Sequence, residues 1–465
     1  MSPPVSHPTI TRSTNSSPAF RGVWAAVRGR SQFVVNVLTN AGGSTLNSVL
    51  QLLLLLVLGR LLGKDAYAAW FAVGPLIAIG EVACDFGTRL WAVKRFASNE
   101  DAALTFKYCV WHKVLFTLLA VIVLSLIPLN TLTFSALALS LLIATTQPSS
   151  DPFLWYLRGK ERLDVEAGVV LSCRVAIVAG VIATAMFDVQ LVPLLLVWLL
   201  FNVVRMIWES RLEICAPLFA NSATAVVSFR DLKKNVRDVL PIGVSLVLSP
   251  MFTQCAVLFV AVYGTASQIT EFGAAFRLAM AAGFVGTSIV VSSFARLSKA
   301  IADKDDAAAR QILRTKFLLL MAAFTPICIC GMLLSVPVAE LISRLTMKPD
   351  LATAGHVMVL LMPGLYLSSI NMGAKFSLNA FGLNRQDVVA MLVGFMTLVV
   401  AFQAASSFAL PVRAALCWMS GEVAVLTLRF SFLKAQNCLE GVPIWLICGT
   451  LAVLVALATS LYAYA

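Results

Sequence analysis

Apolar runs long enough to cross a bilayer recur along the whole chain, and the first of them, Asn36 to Leu62, is polar along one side. Its second half reads Gln51-Leu-Leu-Leu-Leu-Leu-Val-Leu-Gly-Arg60-Leu-Leu-Gly63, and about 20 such residues span the hydrocarbon core as a helix. At roughly 100° per residue, Asn36, Asn40, Ser44, Asn47 and Gln51 share an arc of about 80°. Lipid cannot satisfy such groups, so the stripe faces either a water-filled cavity or neighbouring helices. The first reading makes Asn36, Asn40, Asn47 and Gln51 cavity contacts. The second makes them interhelical glue, with Asn36 and Asn40 below the membrane.

Further apolar segments fall near 66–86, 111–129, 132–148, 166–186, 189–208, 240–263, 272–293, 316–339, 354–376, 387–405, 409–430 and 443–463. The pattern predicts an all-α polytopic membrane protein of about thirteen helices, within a range of 12 to 14. With the N-terminus in the cytoplasm, the inner loops and tail hold about 26 Lys and Arg against about 5 outside, a strong positive-inside bias. Outer connections such as Pro128–Thr131 are very short, and the longest, Glu340–Leu351, offers little reactive chemistry. The larger inner loops are Arg89–Val110, Glu209–Val239 and Arg296–Arg314. Function therefore has to lie between the helices.

Composition agrees. Of 465 residues, 59% are hydrophobic and 12% charged, where soluble domains carry about 25% charged residues. The net charge of +12 is then largely topology, with basic loops against anionic headgroups, and nucleic acid is not an expected partner. Ten cysteines lie mostly in apolar runs without metal-ligand spacing, and three histidines leave little material for a metal site. No Gly-x-x-x-x-Gly-Lys segment points to ATP, and no cofactor is expected. Met1–Arg30, rich in Ser, Thr and Pro, reads as a disordered or interfacial tail rather than a signal peptide.

The chain also repeats a plan. A span ends at Gly63-Lys64-Asp65-Ala66, turns back as a helix and leads to a loop with Asp101-Ala102-Ala103. Later, another ends at Gly264-Thr265-Ala266-Ser267, turns back and leads to Asp306-Ala307-Ala308. Offsets of about 201 and 205 residues suit two pseudo-symmetric six-helix lobes around a central cavity. On the seventh helix Asp238, Ser245, Ser249 and Thr253 form a second polar stripe, and Pro241 and Pro250 interrupt it, Pro250 being the candidate hinge. The expected divisions are a tail (1–30), an N-lobe (31–210), a linker (211–238), a C-lobe (239–433) and an extra C-terminal helix (434–465).

At Arg60-Leu-Leu-Gly63-x-x-x-Tyr67, Asp85-Phe86-Gly87, Gly273-Ala-Ala-Phe-Arg277-Leu and Arg296-Leu297-Ser298 the chain resembles polysaccharide and O-antigen repeat-unit flippases. These are the Wzx-like branch of the multidrug/oligosaccharidyl-lipid/polysaccharide exporter superfamily. The resemblance runs from about Ser31 to Leu433. Ala66 stands where that family often has Gly, the proline common near the end of helix eight is absent, and a thirteenth segment exceeds its twelve-helix core. It implies a cationic cavity and a transporter, not an enzyme.

An ionisable group at bilayer depth costs from about 2.5 to more than 10 kcal/mol, so each needs a partner or a pathway. Arg277 offers a forked donor set for pyrophosphate, or else snorkels or pairs with Glu271. Arg174 is either a substrate contact or the partner of Glu422 or of a carbonyl, and Lys375 either faces the cavity or reaches inner headgroups. Glu422, Glu81 and Asp85 are the ion-coupling candidates, although Asp85 and Arg89 also suit an ordinary helical ion pair.

The expected activity is alternating-access transfer of a polyprenyl-pyrophosphate-linked oligosaccharide from the inner to the outer leaflet of the bacterial cytoplasmic membrane. That step belongs to exopolysaccharide or O-antigen synthesis, with membrane lipids and a polysaccharide polymerase as partners. The alternatives are a cation-coupled multidrug exporter of the same superfamily and a membrane polymerase or ligase acting on lipid-linked sugars.

Overall fold

Caps written into the sequence decide where the helices begin and end. The computed structural model describes residues 46–464 apart from 47, 98–100, 130–131, 161, 188–189, most of 217–226 and most of 437–441. The tail, Asn36, Asn40 and Asn47 therefore lie outside the described residues. The helices are α1 (Ser48–Leu61), α2 (Lys64–Asp85), α3 (Thr88–Ala97), α4 (Ala102–Ser125), α5 (Phe134–Ser149), α6 (Asp151–Gly159), α7 (Leu163–Phe187) and α8 (Leu191–Arg211). They continue as α9 (Phe229–Tyr263), α10 (Ala266–Ala281), α11 (Gly283–Ala302), α12 (Asp306–Thr346), α13 (Ala354–Ala380), α14 (Asn384–Ala404), α15 (Leu410–Ala435) and α16 (Ile444–Tyr464). Among the described residues there is no strand.

The protein is a multi-pass membrane protein. Among the described residues eleven helical segments are long and apolar enough to cross a bilayer, and α1 and α5 are shorter apolar helices beside them, in keeping with the expected 12 to 14. The Pro349–Ala380 and α2 spans have 83% and 72% of their membrane windows buried, against 17% for α16. Thus α13 and α2 are interior helices, whereas α16 lies against α13 and α12 at the margin.

The two acidic-Ala patches are helix N-caps. Asp101 accepts from the Leu104 amide at 3.0 Å and Asp305 from the Ala308 amide at 2.9 Å, so the capping residue in the second copy is Asp305, one position before the sequence alignment. Such caps are each worth about 1 kcal/mol. They also lengthen the helices. Where a long inner loop is expected over 296–314, α11 runs to Ala302 and α12 starts at Asp306. At its other end α12 continues to Thr346, which shortens the expected 340–351 loop to a few residues and one 3-10 turn. Its 41 residues extend about 60 Å, roughly twice the hydrocarbon thickness. Conversely, the single span expected at 272–293 is divided at Ala282 into α10 and α11. Pro250 sits inside α9, which continues through it as one helix.

The Asp85-Phe86-Gly87 segment terminates α2. Phe86 and Gly87 both take positive φ, 40° and 78°, and the Phe86 ring stacks on Phe116 at 4.3 Å. Gly243 of α9 meets Phe86 here so closely that any side chain would collide with the ring and its carbonyl.

A candidate anion-binding cleft

Between α1, α2 and α7 on one side and α9 and α10 on the other lies a cleft of about 380 Å³. Ser48 and Gln51 reach it from α1, Trp70, Phe71, Gly74 and Glu81 from α2, Gln147 from α5, and Arg174 from α7. Trp198 of α8, Gln254 of α9, and Gly273, Phe276 and Arg277 of α10 complete the polar and aromatic wall. So the structure brings together Gln51, Glu81, Arg174 and Arg277 from stretches far apart in the sequence. Two guanidinium groups against one carboxylate leave the cleft cationic.

Arg277 does not snorkel or pair with Glu271. Its guanidinium lies 4.7 Å above the Phe71 ring and Nη2 donates to the Trp70 carbonyl at 3.4 Å. Gly74 makes room for it: a Cβ there would stand 2.7 Å from Arg277 Nη2. In the reverse direction Phe71 enters the notch left by Gly273, where a Cβ would meet the ring at 2.5 Å. Each helix thus offers one bulky group to a glycine of the other. A desolvated cation–π contact contributes about 2 kcal/mol or more.

Glu81 accepts from Gln147 Nε2 at 2.7 Å, and Arg174 acts on it electrostatically, so Arg174 partners α2 and not Glu422. Three polar atoms on the lining, Trp70 Nε1, Trp198 Nε1 and Gln147 Oε1, are buried with no hydrogen-bond partner among the described residues. Leaving a buried polar group unmade costs about 1–3 kcal/mol, and Trp70 and Trp198, whose rings lie 5.6 Å apart, carry that cost beside the cleft.

At the Lys64 end of α2 the neighbouring helix ends are tied together. Lys64 Nζ pairs with Asp350 at 3.1 Å, Ser267 donates to the same carboxylate at 2.6 Å, and Lys348 Nζ donates to the Leu62 carbonyl at 2.7 Å. Lys348 also lies 5.5 Å over the Tyr67 ring, whose hydroxyl donates to the Leu55 carbonyl at 3.0 Å. Burial lowers the Lys348 ammonium below its usual range, while Asp350 works in the opposite sense.

The remaining expected site residues lie elsewhere. Asp85 faces Lys113 at 3.8 Å and accepts from the Arg89 amide at 3.2 Å; Lys113 also faces Asp151, and Asp151 faces Arg205, which pairs with Glu209 at 2.8 Å. This is a structural ion network joining α2, α4, α6 and α8. Lys375 and Glu422 are buried within the second half of the bundle and do not line the cleft. Nor does the α9 stripe face it as a whole. Ser245 donates to Asp387 on α14 at 2.5 Å and Thr253 bonds back to the Ser249 carbonyl, whereas Gln254 and Val257 reach the cleft.

Sequence reading missed Trp70, Phe71, Gly74, Gln147, Trp198 and Gln254. It also missed the pair Asp387–Arg429, joined at 2.7 Å and almost fully buried. An Arg and an Asp near the ends of apolar helices carried that second signal. In the first set Gln147 and Gln254 did carry one, an amide in an apolar run, whereas the aromatic residues and Gly74 had none, because such residues are ordinary in membrane helices.

The family described as "polysaccharide biosynthesis protein" matches residues 33–301. Among solved structures, the lipid II flippase MurJ in an inward closed conformation superposes with a TM-score of 0.66 at 11% identity, covering 91% of this chain and 97% of that one. An inward-facing multidrug resistance MATE family transporter of the MOP superfamily gives 0.63 at 13% identity, covering 86% and 99%. A MOP superfamily transporter from Pyrococcus furiosus, described as having a binding pocket of reversed polarity, gives 0.55 at 14% identity over 88% and 96%. At such identities these likenesses establish the fold alone. No curated relative matches the chain significantly in sequence.

Proposed function

The chain belongs to the polysaccharide biosynthesis protein family, and from that premise we propose that it is a flippase for a polyprenyl-pyrophosphate-linked oligosaccharide repeat unit. It would move this lipid from the inner to the outer leaflet of the bacterial cytoplasmic membrane, for exopolysaccharide or O-antigen assembly, and hand it to a polysaccharide polymerase. The supporting observation is that Arg174 of α7 and Arg277 of α10, far apart in the sequence, line one cleft whose only acidic lining residue among the described residues is Glu81. Desolvation of the charged head is the barrier to crossing, and forked guanidinium donors replace the water around phosphate oxygens. The polyprenyl tail stays in lipid, and no bond is made or broken.

In this reading residues 31–210 and 239–433 are the two lobes, 211–238 links them, and 1–30 and 434–465 are additions. The N-terminus is cytoplasmic, so the Lys64 end of α2 is its outer end. Ion coupling would fall to Glu81 in the cleft or to Glu422; Asp85 is engaged by Lys113 and serves the network described above.

A deletion strain should trap lipid-linked oligosaccharide in the inner leaflet. Wild type should release it, and Arg277→Ala and Arg174→Ala should each lose at least tenfold in export. Full rescue by both variants would remove the anion-binding role, and normal export in the deletion strain would reject the assignment. Glu81 and the rings of Trp70, Phe71, Trp198 and Phe276 give a cation-coupled multidrug exporter some support. That alternative predicts drug sensitivity on deletion and in Glu81→Gln, with oligosaccharide export unchanged.

A further inference from the structure

Away from the cleft, five polar residues on four helices form one buried chain: Glu422 and Arg429 (α15), Asn371 (α13), Asp387 (α14) and Ser245 (α9). Asn371 Nδ2 donates to Glu422 Oε2 at 2.6 Å and to the Glu422 carbonyl at 2.8 Å. On its other side Arg429 Nη1 donates to the Asn371 carbonyl at 3.0 Å and to Oδ1 at 3.4 Å. The rest of the guanidinium is committed: Nε and Nη2 both go to Asp387 Oδ1, at 2.8 and 2.7 Å, and Ser245 takes Oδ2. Asp387 therefore has its counter-charge. Glu422, 3% exposed, has no cation within ion-pair distance among the described residues; Arg429 acts on it only at longer range, its guanidinium being held by Asp387.

A buried carboxylate whose nearest cation already neutralises another acid is costly to keep charged, and a proton is one remedy. The two forms make different demands. An ionised carboxylate only accepts, whereas the acid carries one O–H donor that needs an acceptor. An Asn side chain meets either demand by turning over, presenting Nδ2 to the carboxylate or Oδ1 to the acid. Turned over, Asn371 would aim Nδ2 at Arg429, a group with donors only, and that contact becomes repulsive.

We propose that Glu422 is a proton-binding site and that Asn371 is the relay which passes its protonation state, through Arg429 and Asp387, to Ser245 on α9. Protonation turns the Asn371 amide, displaces Arg429 and loosens Asp387 from Ser245. Ser245 lies five residues before Pro250, and α9 carries Gln254 and Val257 into the cleft. A proton taken up in the second half of the bundle is thereby felt on the cleft wall. The other charged groups around this chain are Lys375 on α13, one turn beyond Asn371, and Lys316 on α12, which donates to the Gly373 carbonyl at 2.9 Å and to Ser377. On α10, packed against α15, Glu271 and Arg277 are the charged residues, and α16 has none.

The inference takes from the transport reading only that α9 moves, so its test uses no sugar lipid. The full chain is placed in phosphatidylglycerol/phosphatidylethanolamine nanodiscs, with Cys330, Cys438 and Cys448 changed to Ser and Gln254→Cys introduced on α9. Infrared pH-difference spectra follow the carboxylic-acid C=O band, assigned to Glu422 by its loss in Glu422→Gln. In parallel, a water-soluble maleimide reports how exposed position 254 is.

The reference protein should show the band and a severalfold change in labelling rate with pH. Asn371→Leu should keep the band while labelling ceases to follow pH, and Glu422→Gln should label at the acid rate throughout. If Asn371→Leu is not monodisperse, Asn371→Ser, too short to bridge Glu422 and Arg429, takes its place. Absence of a Glu422 band, labelling in the reference protein that ignores pH, or an Asn371 variant that still follows pH would each overturn the proposal. A failed flippase assignment would leave all three readouts standing.

Discussion

Arg277 holds its guanidinium over the ring of Phe71, 4.7 Å from the centroid, across the join between α10 and α2. The guanidinium proposed to bind phosphate therefore also joins α10 to α2, and it fits there only because position 74 has no side chain.

The first prediction concerns that position. Gly74→Ala should push the guanidinium off the Phe71 ring, since its Cβ would lie 2.7 Å from Nη2. Transport should fall at least tenfold with a stability cost of about 1–3 kcal/mol, the range for overpacking. Gly63→Ala, with nothing within 4 Å of the added carbon, is the control. Export assays and thermal unfolding in detergent check both.

Asp387 and Arg429 give a second test. Removing one partner of a buried pair costs about 3–5 kcal/mol, whereas replacing both with apolar groups is often neutral. Arg429→Met should lower the unfolding temperature sharply, and Asp387→Leu with Arg429→Met should recover most of it. A single variant as stable as wild type would mean that the pair is not isolated from water.

At the Lys64 end the tie divides into a weak and a strong part. Lys64 is 54% exposed and its pairing with Asp350 should contribute about 0–1 kcal/mol, screened by salt. Lys348 donates to a backbone carbonyl and covers Tyr67, so Lys348→Ala should be the more damaging change and should persist at high salt. Thiol labelling of a cysteine introduced at Leu58, fully buried four residues before the Leu62 carbonyl that Lys348 holds, reads how often it opens.

The duplicated caps predict matched local effects. Asp101→Ala and Asp305→Ala should each cost about 1 kcal/mol and speed amide exchange in the first turns of α4 and α12, with the rest of the protein unchanged. Hydrogen exchange by mass spectrometry resolves the two segments.

Much of the molecule was legible in the order of residues. Apolar length located the crossings, and the acidic-Ala and glycine patches located two equivalent helix starts. Charge in an apolar setting flagged Arg174, Arg277, Glu81 and Glu422. It could not say which of these would meet: Arg277 finds Trp70 at a separation of 207 residues, and Glu422 finds Asn371 at 51. Glu422 and Arg174 looked like partners because both sit near mid-span, yet one lies against α13 and the other lines the cleft beside Glu81.

What the sequence by itself determined is one-dimensional: hydropathy sets which stretches enter the membrane, the 3.6-residue period sets which side chains share a face, and caps set where a helix stops. Tertiary structure alone decided what each face meets, because the apposition of two helices depends on close packing between remote surfaces. That is why Gly74, silent in the sequence, proves to be the position on which the placement of Arg277 depends.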